Sequence, residues 1–178
     1  MELERDFKTP KELLDFIFIE CSDMTYKFDE KMSKLTIDNS PNFLLERILF
    51  AYVLLQEKFN IKITFLNLSR LKFVEMNEGV LDKMELISFY CINTDIKRLP
   101  QLPDSVLYLN LTRNQLIELP ELPKNLKWLS CSQNNLSELP GLPETLVELW
   151  CSQNNIKELP KLPDGVKQLI SDTRNFSK

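Results

Sequence analysis

The run Leu119-Pro120-Glu121-Leu122-Pro123-Lys124-Asn125-Leu126-Lys127-Trp128-Leu129-Ser130-Cys131-Ser132-Gln133-Asn134-Asn135-Leu136-Ser137-Glu138 recurs in the same pattern twenty residues earlier and twenty residues later. Four units open at Leu99, Leu119, Leu139 and Leu159, each with Leu-Pro-x-Leu-Pro, and they align without a gap. Eight of the ten prolines sit at these fixed offsets, so only Pro10 and Pro41 stand outside the period. A proline lacks an N–H and holds its predecessor extended, so Leu-Pro-x-Leu-Pro cannot be helix. Its three-residue spacing matches the turn of polyproline II and puts Leu119 and Leu122 on one side.

Within the unit, Leu126, Leu129, Cys131, Asn134 and Leu136 spell L-x-x-L-x-L-x-x-N-x-L, the leucine-rich-repeat pattern. Leu86, Phe89, Cys91 and Ile96 extend it backwards, with Thr94 in the asparagine slot. A looser unit fits Leu66, Leu68, Leu71 and Phe73, about three residues out of phase. Alternation at Leu129-x-Cys131 predicts a short strand with both side chains inward, and successive strands pair in parallel. The expected fold is α/β, a leucine-rich-repeat solenoid. It has a parallel strand ladder, an extended polyproline-like convex side and an N-terminal helical cap. The cap is assigned to residues 1–62 and the solenoid to 63–178, regular from about 80.

Asn114, Asn134 and Asn154 form a column at the bend after each strand, where an amide can satisfy the backbone groups of the turning chain. Loss of one such asparagine should cost about 1–3 kcal/mol. A repeat stack exposes apolar surface at its ends and needs caps. Thr9-Pro10-Lys11-Glu12 reads as a capping box ahead of Leu13, Leu14, Phe16, Ile17 and Phe18. Ser40-Pro41 starts a second helix with an apolar stripe of Leu44, Leu45, Ile48, Leu49, Tyr52, Val53 and Leu55. Lys34 to Asp38 reads as a strand between them. At the far end Ser171 replaces the inward cysteine and Arg174 the asparagine, a polar cap, while an edge strand there offers a surface for self-pairing.

The 178 residues carry a net charge of −4 and no basic run, which argues against a phosphate-gripping nucleic-acid binder. Histidine is absent, removing the commonest general base and metal ligand. Phe43 to Phe59, the most apolar stretch, is interrupted by charges, and the acidic N-terminus has no secretory pattern. The expectation is an intracellular chain that binds no membrane. Cys91, Cys131 and Cys151 share a column broken by Leu111, and read as small buried residues, not as a metal or redox cluster. No catalytic, metal or cofactor site is expected.

The quoted unit resembles the short leucine-rich repeats of the bacterial YopM and IpaH effector class, and similar repeats occur in large DNA viruses and their protist hosts. The resemblance covers residues 80–178. It implies a recognition scaffold, with a host cell as its place of action if the chain is an effector or a viral protein. IpaH-type members add a helical ubiquitin-ligase domain with a Cys-x-Asp motif, and the expectation here is repeats alone. Cys21-Ser22-Asp23 spells that motif outside its structural context and is read as coincidence.

Alternation also predicts the solvent side of the ladder. One column holds Ser88, Tyr108, Trp128, Glu148 and Gln168; the next holds Tyr90, Asn110, Ser130, Trp150 and Ile170. A third holds Ile92, Thr112, Ser132, Ser152 and Asp172, flanked by Asn93, Arg113, Gln133 and Gln153. Four aromatics with an arginine and small polar residues have the composition of a protein-binding hot spot. The expected partner-binding residues are Tyr90, Tyr108, Asn110, Thr112, Arg113, Trp128, Ser130, Gln133, Trp150, Ser152 and Gln153. The expected partner is a protein or peptide, met by a monomer or weak homodimer. Two other functions stand beside this one: an effector-like ligase or adaptor using residues 1–60, and a self-associating structural protein.

Overall fold

The computed structural model describes residues 6–18, 25–38, 45–71, 76 and 79–172. Ser40, Pro41, Leu44, Phe73, Arg174 and the Cys21-Ser22-Asp23 motif lie outside the described residues, as does the side chain of Leu45.

Helix α1 spans Pro10–Phe18. Thr9 Oγ1 accepts the Glu12 N–H at 3.2 Å, and the Glu12 carboxylate reaches back to the Lys8 N–H at 2.9 Å, one residue before the usual recipient in a capping box. Leu13, Leu14, Ile17 and Phe18 are buried. Helix α2 spans Leu45–Phe59 and buries Ile48, Ala51, Tyr52, Leu54 and Leu55. Val53, expected in that stripe, is 38% exposed, because a step of 100° per residue carries it off the face defined by positions 48, 51, 52 and 55. Asn60, left-handed at φ 55°, ends the helix, its N–H donating to the Gln56 carbonyl at 3.0 Å.

Between the helices lies a hairpin of β1 (Thr25–Asp29) and β2 (Lys34–Asp38), paired antiparallel. The strand expected at Lys34 to Asp38 is present, and its partner β1 was not foreseen. The N-terminal cap is therefore mixed, not purely helical. Leu35 and Ile37 alternate inward, and β2 pairs in parallel with β3 (Phe65–Asn67), setting Leu35 against Leu66. The Tyr26 hydroxyl donates to Asp15 at 2.5 Å, tying the hairpin to α1.

Beyond β3 the ladder continues in parallel through β4 (Ser88–Tyr90), β5 (Tyr108–Asn110), β6 (Trp128–Ser130), β7 (Glu148–Trp150) and β8 (Gln168–Ile170). Register follows the repeat: Phe89, Leu109, Leu129, Leu149 and Leu169 stand one above another. Leu66 joins that column opposite Phe89, so the loose first unit is a true rung separated from β4 by a longer coil. The Leu-Pro-x-Leu-Pro segments take neither helix nor strand. Each ends in a tight turn, as where the Leu126 N–H donates to the Pro123 carbonyl at 3.0 Å.

The asparagine column bridges coils. Asn114 Nδ2 donates to the carbonyls of Cys91 (2.7 Å) and Leu111 (2.9 Å), and its Oδ1 accepts from the N–H and hydroxyl of Thr94 at 2.9 and 2.8 Å. Asn134 repeats the pattern on Leu111, Cys131 and the Leu116 N–H, and Asn154 on Cys131, Cys151 and the Leu136 N–H. Just ahead of these bends Asn93, Arg113, Gln133 and Gln153 are left-handed, with φ between 56° and 61°. The first three donate their N–H to the carbonyl of the next coil, at Thr112, Ser132 and Ser152. At Gln153 the carboxylate of Asp172 takes the N–H instead, so here a side chain stands in for the backbone carbonyl of the column.

Candidate functional site

Three-residue strands offer the sheet's outer face only two side chains each, from their first and third positions. Tyr90 holds the third position of β4, Trp128 the first of β6 and Trp150 the third of β7, so the large rings run diagonally. Their centroids are 6.4 Å apart for Tyr90 and Trp128 and 5.4 Å for Trp128 and Trp150, the latter edge-to-face. Small residues between them, Asn110 and Ser130, leave room for the rings to meet across the rungs. Phe65 continues the stripe, 5.0 Å from Tyr90, and carries the Lys34 ammonium 4.4 Å above its ring. Phe65 was missed in the sequence because its rung is offset from the twenty-residue period.

Tyr108, 41% exposed, stands beside Trp128 in the register. Together with Tyr90, Lys127, Val147 and Glu148 these two rings line an open groove of about 430 Å³. The four expected aromatics therefore share one face, three as a stripe and the fourth at the groove. Trp150 Nε1 is enclosed without a hydrogen-bond partner among the described residues, an arrangement in which the indole contributes ring surface and its polar end goes unused.

The polar residues divide differently. Ser130 does not face solvent as expected: it is 2% exposed, flanked by Trp128 on its own strand and Trp150 on the next, with its Oγ 2.7 Å from Thr112 Oγ1. Asn110 accepts from the Thr112 N–H and hydroxyl at 3.1 and 2.8 Å, a local brace that Asn67 and Ser69 repeat two rungs earlier. Ser152 bonds Ser132 at 3.3 Å. Arg113 Nε donates to Gln133 Oε1 at 2.7 Å along the flank, and Gln153 is exposed beyond them.

Cys91, Cys131 and Cys151 are buried free thiols in the inward column. Burial pushes Cys91 up to about 12 and Cys151 up to about 11, with the nearby Asp172 charge adding to the latter, and raises Cys131 further. A thiol is reactive only as thiolate. Iodoacetamide at pH 8 is therefore expected to leave these three unmodified in the folded protein and to label all three in urea, read by peptide mass mapping. Labelling of Cys91 under native conditions would contradict the inward placement. Among the described residues, no helix is long and apolar enough to cross a membrane.

No family model matches the chain, and no curated protein matches it. Solved structures do. The leucine-rich-repeat domain of a Shigella effector is 31% identical, with a TM-score of 0.61 over 74% of this chain and 58% of its own. YopM from Yersinia enterocolitica WA-314 is 34% identical, with a TM-score of 0.56 over 60% of this chain and 23% of its own. YopM from Yersinia pestis, a leucine-rich effector protein, is 34% identical, with a TM-score of 0.54 over 62% and 31%. The chain thus spans between 23% and 58% of the lengths of these proteins. Repeat motif, strand ladder and structural likeness agree: the chain is a leucine-rich-repeat protein similar to YopM and to the Shigella effector domain.

Proposed function

We propose that this protein is a non-enzymatic recognition module that docks a protein or peptide partner on its concave strand face. The observation that carries the reading is the contiguous stripe of Tyr90, Trp128 and Trp150 with Tyr108 beside it. The inward column already fills the core with Phe89 and leucines, so the core does not call for these rings. Rigid aromatics bring large contact area at small entropic cost, which is why they dominate hot spots. In this reading residues 1–62 cap the stack, and Arg113, Gln133 and Gln153 form a polar rim. The likeness to effectors supports action inside a host cell, and the net charge of −4 favours protein over nucleic acid as partner.

The test is a chain carrying Trp128→Ala and Trp150→Ala together. Its affinity for a partner captured by the intact protein should fall by about thirtyfold, a hot-spot loss of about 2 kcal/mol, with the far-UV circular dichroism retained. Unchanged affinity in a folded double variant would remove the face from consideration.

A further inference from the structure

We infer that the groove at Tyr108 and Trp128 is a receptor for an arginine side chain of the partner. The inference rests on the concave-face reading and names the chemistry of the group that enters. Three of the six lining residues are aromatic, Tyr90, Tyr108 and Trp128, and a fourth is the carboxylate of Glu148. Glu148 forms no ion pair or side-chain hydrogen bond with the described residues, although it is half-buried. A carboxylate that shares a groove with three rings and has no counter-ion among the described residues is complementary to a cation that stacks. Arginine fits better than lysine, because its planar guanidinium stacks on a ring while its fork of N–H donors engages the two carboxylate oxygens.

The other end of the same stripe shows the interaction satisfied within the chain, where the Lys34 ammonium sits 4.4 Å above Phe65. The Trp128 end has the aromatic faces and the carboxylate but, among the described residues, no cation over the rings. Lys127 also lines the groove, yet it is exposed and makes no ion pair with Glu148. Its charge opposes an incoming guanidinium and tunes the site downward. The chain's net charge of −4 supplies a long-range attraction in the other direction.

The probe is an acetylated and amidated Gly-Gly-Arg-Gly-Gly peptide, compared with the same peptide carrying citrulline, which keeps the planar shape and loses the charge. Binding is followed by tryptophan fluorescence and by the NMR signals of the Tyr108 ring and the Trp128 indole. The arginine peptide should saturate these signals at millimolar concentration and the citrulline peptide should not. Glu148→Gln should weaken the arginine peptide by at least about fivefold, as loss of a charge-assisted hydrogen bond requires. Lys127→Gln should strengthen it, and neither substitution should alter the response to citrulline. Equal binding of the two peptides, indifference to Glu148→Gln, or no binding of the arginine peptide would each overturn the inference. The concave-face reading is judged separately by the Trp128 and Trp150 double variant, whose partner affinity does not depend on the peptide result.

Discussion

Phe89→Ala is expected to lower the stability of this protein by about 3–5 kcal/mol, the loss found when a fully buried aromatic is cut back to a methyl group. Phe89 has no solvent exposure and is the largest side chain of the fully buried set. It holds the inward slot of β4, with Leu66 on one side and Leu109 on the other. Every later rung fills this slot with leucine, and the larger ring falls at the rung that follows the longer coil. Truncation there removes contacts to both neighbours and leaves a cavity that two rigid rungs cannot close. A domain has only about 5–15 kcal/mol in hand, so the loss is a large fraction of the total.

The position adds a second expectation. Coils of a repeat stack touch only their neighbours, and cooperativity passes through each interface in turn. Both tryptophans lie beyond β4 in the ladder, and both helices lie before it. Urea unfolding of Phe89→Ala should therefore give separated midpoints by tryptophan fluorescence and by helical circular dichroism, where the parent gives one. Coincident midpoints and a loss under about 1 kcal/mol would show that β4 does not couple the two ends.

Asn114→Ala is the second large effect, with an expected loss of about 3 kcal/mol in the urea midpoint analysis at an unchanged slope. The amide makes four hydrogen bonds in a site only 9% exposed, and alanine leaves the carbonyls of Cys91 and Leu111 and the N–H of Thr94 without it. Asn154→Ala is the internal control. Its amide makes equivalent bonds but is more exposed, so water takes over part of the role and the loss should be smaller. If Asn114 cost no more than Asn154, the column would be decorative.

The regular coils were legible because the same instruction is written several times in register. A single Leu-x-Cys is ambiguous between elements, but Leu109, Leu129 and Leu149 at equal spacing leave one arrangement, and the asparagine bend follows from it. The cap is written once. The alternation of Tyr26 with Phe28 and of Leu35 with Ile37 was visible after the fact, yet only the second pair was read as a strand. Val53 was misplaced because a helix crowded with apolar residues gives several faces of similar weight. For the candidate site, alternation assigned columns correctly but could not supply sizes of neighbours. Ser130 points to the outer face and is buried nonetheless, because an indole stands on each side of it. Glu148 was assigned to its column but passed over, since its isolation among rings is a fact of space and not of spacing.

The inward column is closed to solvent at Leu109, Leu129 and Leu149 and partly open at Leu169, and among the described residues the Gln153 N–H falls to the Asp172 side chain. Trp150 sits on β7, one rung before β8, where that column becomes partly open to solvent. A partner docked as proposed along the aromatic diagonal would span the rungs from β4 to β7. Docking would then cross-brace successive rungs of a stack whose coils otherwise touch only their neighbours.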